Sequence, residues 1–184
     1  MLAAPRRSLR LAVPAALLAV LAASGTRAAE KGAGQPIEES PRRYTVHIAH
    51  ETTAGMLVGL LDGARERLAE PRCQQVLDDF AAADGRSLRA RLEETGRTPE
   101  DYLGLVVFYD GRKHPRCDQK GILAVAQPGS RVVWVCPEEL LRTRRDPVWA
   151  EAALIHEALH TLGLGENPPS SREITSRVIR RCRH

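Results

Sequence analysis

The sequence contains no C-x-x-C pair, although it has four cysteines. This absence gives little support to a zinc site built from cysteines or to a thioredoxin-like redox motif. Methionine is also scarce, because Met1 and Met56 are the only two. There are no internal repeats, and the compositionally biased stretches lie within the first 43 residues. The metal-binding patterns that remain are those built from histidine and carboxylate side chains.

The N-terminal apolar stretch is too short to span a membrane comfortably. It runs from Leu11 to Ala23, whereas a transmembrane helix needs about 20 apolar residues. Arginines precede it, and Thr26-Arg27-Ala28 offers a small-residue cleavage site. The pattern predicts a cleavable signal peptide at residues 1–28 and therefore a secreted or periplasmic protein. No cysteine directly follows the apolar stretch, so we expect no stable membrane anchor after processing.

Without residues 1–28, the chain has no excess of positive charge. The chain has 27 lysines and arginines against 23 aspartates and glutamates, and four of the arginines lie in residues 1–28. The rest of the chain is therefore balanced in charge before histidine is counted, which does not favour a nucleic-acid partner. Residues 29–43, with their glycines and prolines, are predicted to be a linker. Residues 44–184 are long enough for one domain with a modest core.

The four cysteines all lie in this predicted domain, and their even number predicts two disulfides in an exported protein. Three pairings are possible. We favour Cys117–Cys136, because these residues bracket a predicted strand-turn-strand segment. The remaining pair, Cys73–Cys182, would tie an early helix to a C-terminus that otherwise frays.

Apolar patterns predict both strands and helices. Alternating or continuous apolar residues predict strands at 44–49, 104–109, 122–126 and 131–136. The last of these is apolar on both faces, which predicts a strand covered on both sides or lining a cleft. Helical spacing predicts a helix capped by Thr52 or Thr53, a second that starts at Pro71, includes Phe80 and ends at Gly85, and a short one at 87–94. Two more are predicted, one opened by Asp146-Pro147 and one opened by a Ser170–Glu173 capping box.

One stretch carries the most specific pattern, H-E-x-x-H-x-x-G-x-x-E. His156 and His160 are four residues apart, so on a helix both imidazoles can reach one metal ion. Glu157 projects beside that face, where it can take a proton from a metal-bound water. Gly163 can end the helix in a left-handed conformation. The returning chain can then bring Glu166 in as a third ligand and leave the fourth position of a zinc ion to water.

At these residues the chain resembles the zincin metallopeptidases, and the pattern is similar to the metzincin signature H-E-x-x-H-x-x-G-x-x-H. It differs from that signature in having Glu166 at the last position and no downstream methionine for a methionine turn. The resemblance implies an α+β, zincin-like fold in which helices and a short mixed sheet surround a central H-E-x-x-H helix. It also implies a zinc peptidase that acts on peptides or proteins, with Glu157 as general base.

Several further residues are candidates for the neighbourhood of this site. Trp149 lies on the histidine side of the helix and is a possible wall. The alternatives to Glu166 as third ligand are Glu173 and His184. The candidates for a second oxyanion donor are Tyr102 and Tyr109. The remaining histidines are expected on a strand face or in loops, outside a metal site: His47, His50 and His114.

Two other functions compete with the peptidase. One is a secreted or periplasmic binding protein, with a structural or vestigial zinc site or with no metal. The other is a stress or envelope factor in which the His–Glu cluster is structural. Glu157 favours catalysis, because a structural zinc site needs no base there and usually fills all four positions with His or Cys. The sequence makes no prediction of cleavage preference or oligomeric state.

Overall fold

The computed structural model describes residues 43–183. The predicted signal peptide, the linker up to residue 42 and His184 lie outside this range. Within it, helices pack on a small mixed sheet, which is the α+β class that the sequence predicts. None of the helices in the described range is both long and apolar enough to cross a membrane.

The described range contains six α-helices: α1 (Glu51–Ala69), α2 (Pro71–Gln74), α3 (Leu88–Glu93), α4 (Pro137–Arg142), α5 (Pro147–Thr161) and α6 (Ser171–Cys182). The helix predicted from Pro71 is shorter than expected. After Gln74 the chain tightens into a 3-10 turn that ends at Leu77, and Phe80 lies beyond it.

Four strands form one sheet: β1 (Thr45–His47), β2 (Val107–Asp110), β3 (Ala124–Ala126) and β4 (Val132–Val135). Their spatial order is β1-β2-β4-β3, with β3 antiparallel to β4 and the other pairs parallel. All four correspond to predicted strands, but β2 begins later than expected. The N–H of Val106 donates to the carbonyl of Leu103 (3.2 Å), so a 3-10 turn occupies the start of that apolar run.

The two faces of the sheet differ. On the inner face Phe108, Val133 and Val135 are almost completely buried against the helices. On the outer face the side chains of His47, Tyr109 and Trp134 lie side by side in register, with ring centroids 4.7 and 5.2 Å apart, and Trp134 is 37% exposed. Contrary to the sequence prediction, the last strand is therefore neither covered on both sides nor, in the described range, part of the lining of the main cleft. Stacked aromatic rings account for its second apolar face.

Helix α5 is central to the core and packs against α1, α6 and β3. It begins as predicted: the carboxylate of Asp146 accepts the N–H of Trp149 (3.1 Å), and Pro147 occupies the first helical position. Its core-facing leucine and isoleucine side chains are almost completely buried: Leu154, Ile155 and Leu159. This packing gives α5 a rigid position beside the edge strand β3.

Side chains cap the two helices that flank α5. His50, rather than Thr52 or Thr53, caps α1, because its Nδ1 accepts the N–H of Thr53 (3.4 Å). The predicted capping box opens α6: the N–H of Ser170 donates to Glu173 (2.8 Å), and the Ser170 hydroxyl accepts the N–H of Glu173.

The structure pairs the cysteines as the sequence favoured, and none is free. Cys73–Cys182 joins α2 to the last residue of α6. Cys117–Cys136 joins a 3-10 turn, Pro115–Asp118, to the end of β4. Gly111 makes this second junction possible, because a Cβ there would lie 2.7 Å from the Sγ of Cys117 and 2.7 Å from the carbonyl oxygen of Val135.

Candidate metal centre

Three side chains converge at the C-terminal half of α5. The Nε2 atoms of His156 and His160 are 2.9 Å apart. One carboxylate oxygen of Glu166 lies 3.3 Å from Nε2 of His160 and 3.6 Å from Nε2 of His156. Both imidazoles are 4% exposed, whereas the Glu166 side chain is 25% exposed. The three groups lie close enough together to hold one metal ion.

The far nitrogen of each imidazole has its own partner. Nδ1 of His160 lies 2.7 Å from the carbonyl oxygen of Leu164. A carbonyl can only accept, so Nδ1 carries the proton and Nε2 keeps its lone pair for a metal. Nδ1 of His156 lies 2.8 Å from the hydroxyl of Thr175 on α6. Partners of this kind hold ligand histidines in a productive orientation. Thr175 has no local signal in the sequence, because only the packing of α6 on α5 brings it there.

Gly163 ends α5 as predicted and turns the chain back toward the two histidines. Its φ is +109°, its N–H donates to the carbonyl of His160 (2.8 Å), and the N–H of Leu164 donates to the carbonyl of Leu159 (3.1 Å). These two bonds form a Schellman motif. A Cβ at Gly163 would lie 3.1 Å from Cβ of Ala82. The turn therefore places the Leu164 carbonyl under His160 and starts the return toward Glu166.

The segment after Glu166 explains why Glu166, and not Glu173, reaches the two histidines. Asn167 has a φ of +61°, and its N–H donates to the carbonyl of Pro169 (2.8 Å). This tight reversal leads into α6, where Glu173 is used in the capping box. Glu166 therefore reaches the two histidines and Glu173 does not.

Burial sets the protonation of His156. Burial, together with the neighbouring His160, lowers the pKa of His156 from its ordinary value to about 3. His156 is therefore neutral across the neutral pH range. Neutral imidazole is the form that binds metals, so His156 needs to release no proton on binding.

Glu157 lies beside the three converging groups and is not one of them. Burial raises the pKa of its carboxyl to about 8. A hydrogen bond from the backbone of Ala126 and the charge of Arg116 act in the opposite direction, and the carboxylate of Glu166 adds to the rise. A carboxyl group with a pKa near neutrality both accepts and donates protons under ordinary conditions, as general acid–base catalysis requires.

These groups line a cleft with a volume of about 400 Å³. Its floor is α5 and its wall consists of β3, with the residues just before it, and the turn that carries His114 and Arg116. Trp149 borders the cleft, in the position predicted for it. The wall has no motif of its own in the sequence. Its one signal is the predicted Cys117–Cys136 pair, which places residue 116 next to the end of β4.

Comparison of the chain with family models, with curated proteins and with solved structures gives no match.

The two tyrosines considered as oxyanion donors lie elsewhere in the fold. Tyr102 is buried, and its hydroxyl is 2.9 Å from the hydroxyl of Thr161. Tyr109 belongs to the stacked row on the outer face of the sheet. Neither borders the cleft, so the prediction of a role for them there is wrong. Apolar patterning placed both tyrosines correctly near strands and turns but carried no information on which face each would occupy.

The three other histidines of the described range are dispersed over the fold. His47 lies on the outer face of the sheet and His50 caps α1. His114 caps the 3-10 turn of the cleft wall, where its Nδ1 accepts the N–H of Arg116 (3.3 Å).

Proposed function

We propose that the chain is an exported, zinc-dependent peptidase of zincin-like fold, with zinc held by His156, His160 and Glu166. The observation that carries this proposal is the position of Glu157. Its carboxyl faces the same cleft as the three converging groups, remains outside their cluster, and has a pKa near neutrality.

The donor set suits zinc. Two imidazole nitrogens and one carboxylate oxygen are ligands that zinc accepts, and three protein ligands leave a coordination position open, as in catalytic sites. When bound there, zinc supplies a Lewis acid and lowers the pKa of a coordinated water to about 7. The hydrogen bonds to Leu164 and Thr175 hold the imidazoles in place for this role.

Glu157 supplies the proton transfers. In the proposed reaction its carboxylate accepts a proton from the attacking water, and the resulting carboxylic acid delivers that proton to the leaving amine. The Glu157 side chain lines the same cleft as the three converging groups. One carboxyl group can therefore serve both steps.

The edge strand β3 favours a peptide as substrate. Successive residues of a strand direct their backbone groups to opposite edges, so Ala124 presents its N–H and C=O to the same side as Ala126. The N–H of Cys136 donates to the carbonyl of Leu123, so Ala124 and Ala126 direct their backbone groups away from β4. Both alanines line the cleft. An extended peptide can pair with Ala124 and pass directly over the floor that carries Glu157.

The alternative is a non-catalytic binding protein with a structural or vestigial zinc site. We place it second for two reasons. A purely structural site has no need of Glu157, and structural zinc sites usually have four protein ligands, whereas three groups converge in the described part of the chain.

The test compares the processed protein with its Glu157→Gln variant in zinc and in chelator. Glutamine keeps the size of the side chain and cannot accept the proton. We therefore expect zinc to be retained while cleavage of casein or of a broad peptide library slows at least about a hundredfold, the lower range for loss of a general base. Glu93→Gln, which changes an exposed carboxylate of α3, is the matched control and should cleave normally.

Two results would contradict the proposal. If the parent shows no chelator-sensitive cleavage across the library, the binding protein becomes the better interpretation. If Glu157→Gln cleaves as fast as the parent, the role assigned to Glu157 is wrong.

A further inference from the structure

We propose that Arg116 determines specificity by binding a carboxylate of the substrate, so that the cleft prefers peptides with a carboxylate close to the cleaved bond. This inference rests on the proposed function, because it names the substrate class of the same cleft. A glutamate or aspartate side chain and a free C-terminus both present such a carboxylate.

Arg116 is the only lysine or arginine among the described residues that line the cleft. The two carboxylates that line it already have other roles. Glu166 reaches the histidine pair, and Glu157 is the proposed general base. The guanidinium is therefore the one fixed positive charge that the described side chains offer a ligand in the cleft.

No carboxylate in the range 43–183 lies within ion-pairing distance of Arg116. The contrast with Arg112, on the same connection between β2 and β3, is direct, because its guanidinium lies 2.6 Å from the carboxylate of Asp110. Arg86, Arg89 and Arg181 likewise have carboxylate partners within 3 Å. Arg116 thus keeps its fork of N–H donors available for a carboxylate that arrives with the substrate.

The backbone that carries Arg116 is anchored on both sides. Its N–H donates to Nδ1 of His114 (3.3 Å), and the next residue, Cys117, is bonded to Cys136 at the end of β4. Arg116 lines the same cleft as Glu157, His156 and His160. Its guanidinium is therefore available to a substrate bound in that cleft.

The expected gain in affinity is moderate. A guanidinium binds a carboxylate through two parallel, charge-assisted hydrogen bonds, but Arg116 is exposed and water competes for both partners. We expect a preference of about tenfold for the carboxylate, the size typical of a hydrogen bond to a charged group. Added salt should reduce this preference, because exposed charges are screened.

The experiment uses one pool of short peptides of random neutral sequence, made in four forms. The peptides carry either one glutamate or one glutamine, and each form has either a free or an amidated C-terminus. Cleavage by the zinc-loaded protein is measured for each pool. Binding of the same pools, carrying a fluorophore, is measured by anisotropy with the Glu157→Gln protein, both with zinc and in chelator. The chelator arm removes any direct bond between a carboxylate and the metal.

Arg116→Gln should abolish the preference, and Arg116→Lys should restore part of it, because lysine keeps the charge and loses the fork. Lys113→Gln is the matched control, since Lys113 is an exposed cation of the same connection and does not line the cleft. A preference for the glutamate pool identifies a side-chain carboxylate. A preference for the free C-terminus identifies a peptidase that removes C-terminal residues.

If the parent cleaves and binds all four pools equally, the inference about Arg116 is wrong, and the proposed peptidase function is unaffected. A preference that survives in Arg116→Gln also overturns it. If no pool is cleaved, the proposed peptidase fails, and the binding arm still decides the role of Arg116. Arg116-dependent binding of carboxylate peptides in chelator supports that role, and its absence removes it.

Discussion

The floor and the wall of the cleft are held in place in different ways. On the floor His156 and His160 are almost fully buried, and each far nitrogen has its own hydrogen-bond partner. On the wall Arg116 is exposed and its side chain has no carboxylate partner among residues 43–183. The wall is attached through the edge strand β3 and through Cys117–Cys136.

The difference has a physical reason. A buried polar group that lacks a partner is costly, so the floor can hold its histidines only when every nitrogen is satisfied by the protein or by a metal. An exposed guanidinium is satisfied by water and has no such requirement. The floor is therefore suited to chemistry that needs one geometry, and the wall to recognition that can change with little effect on the fold.

The largest expected effect is on zinc binding, which substitutions in the floor should reduce and a substitution in the wall should not. His156→Ala and His160→Ala should each lose zinc, because each removes one of the two imidazole ligands. Glu166→Ala should weaken zinc binding, because an open three-ligand site becomes a two-ligand one. His114→Ala, which changes a histidine of the wall, should bind zinc like the parent. Metal content after dialysis against buffered zinc checks this. Full zinc in Glu166→Ala would show that another residue is the third ligand, and His184 would then be the next candidate.

A smaller difference is expected between the two disulfides, in the free energy of unfolding that is lost when each is removed. Their bonds close segments with sequence separations of 109 residues for Cys73–Cys182 and 19 for Cys117–Cys136. Chain entropy predicts losses of about 5 and about 3 kcal/mol when each pair is replaced by serines. Urea unfolding in chelator measures both, and the parent treated identically is the control. A larger loss for the wall disulfide would contradict the conclusion that the wall can change with little effect on the fold.

The smallest effect concerns the pH dependence of metal-free stability. The pKa of Glu157 is raised from 4.5 to about 8 in the folded protein, so the unfolded chain loses this proton first as pH rises through that window. The free energy of unfolding therefore falls with rising pH in the parent, and Glu157→Gln lacks this fall. Between pH 5 and pH 8 we expect the variant to gain at least about 1 kcal/mol relative to the parent.

The lowered pKa of His156 acts in the other direction, because it reduces stability as pH falls from 6.5 toward 3. This contribution is present in parent and variant alike and cancels in the comparison. A difference between the two proteins that stays constant from pH 5 to pH 8 would show that Glu157 is not desolvated as described.

Local patterns predicted what depends on nearby residues. The four-residue spacing of the histidines, the cap at Asp146, the capping box at Ser170 and the left-handed turn at Gly163 all lie where the sequence indicates. Each rests on hydrogen bonds or side-chain positions within one or two helical turns. The errors arose where a local pattern had two solutions, as at the apolar run before β2 and at the two apolar faces of β4.

The sequence by itself determined that two imidazoles, a glutamate and a possible third ligand lie around the end of one helix, because helical periodicity and a glycine turn are encoded within a dozen residues. Only the tertiary structure decided what surrounds them. It brought the hydroxyl of Thr175 to His156, the backbone of Ala126 to Glu157 and the charge of Arg116 into the cleft. These contacts join residues far apart in the chain, and the packing of α6 and β3 on α5 produces them.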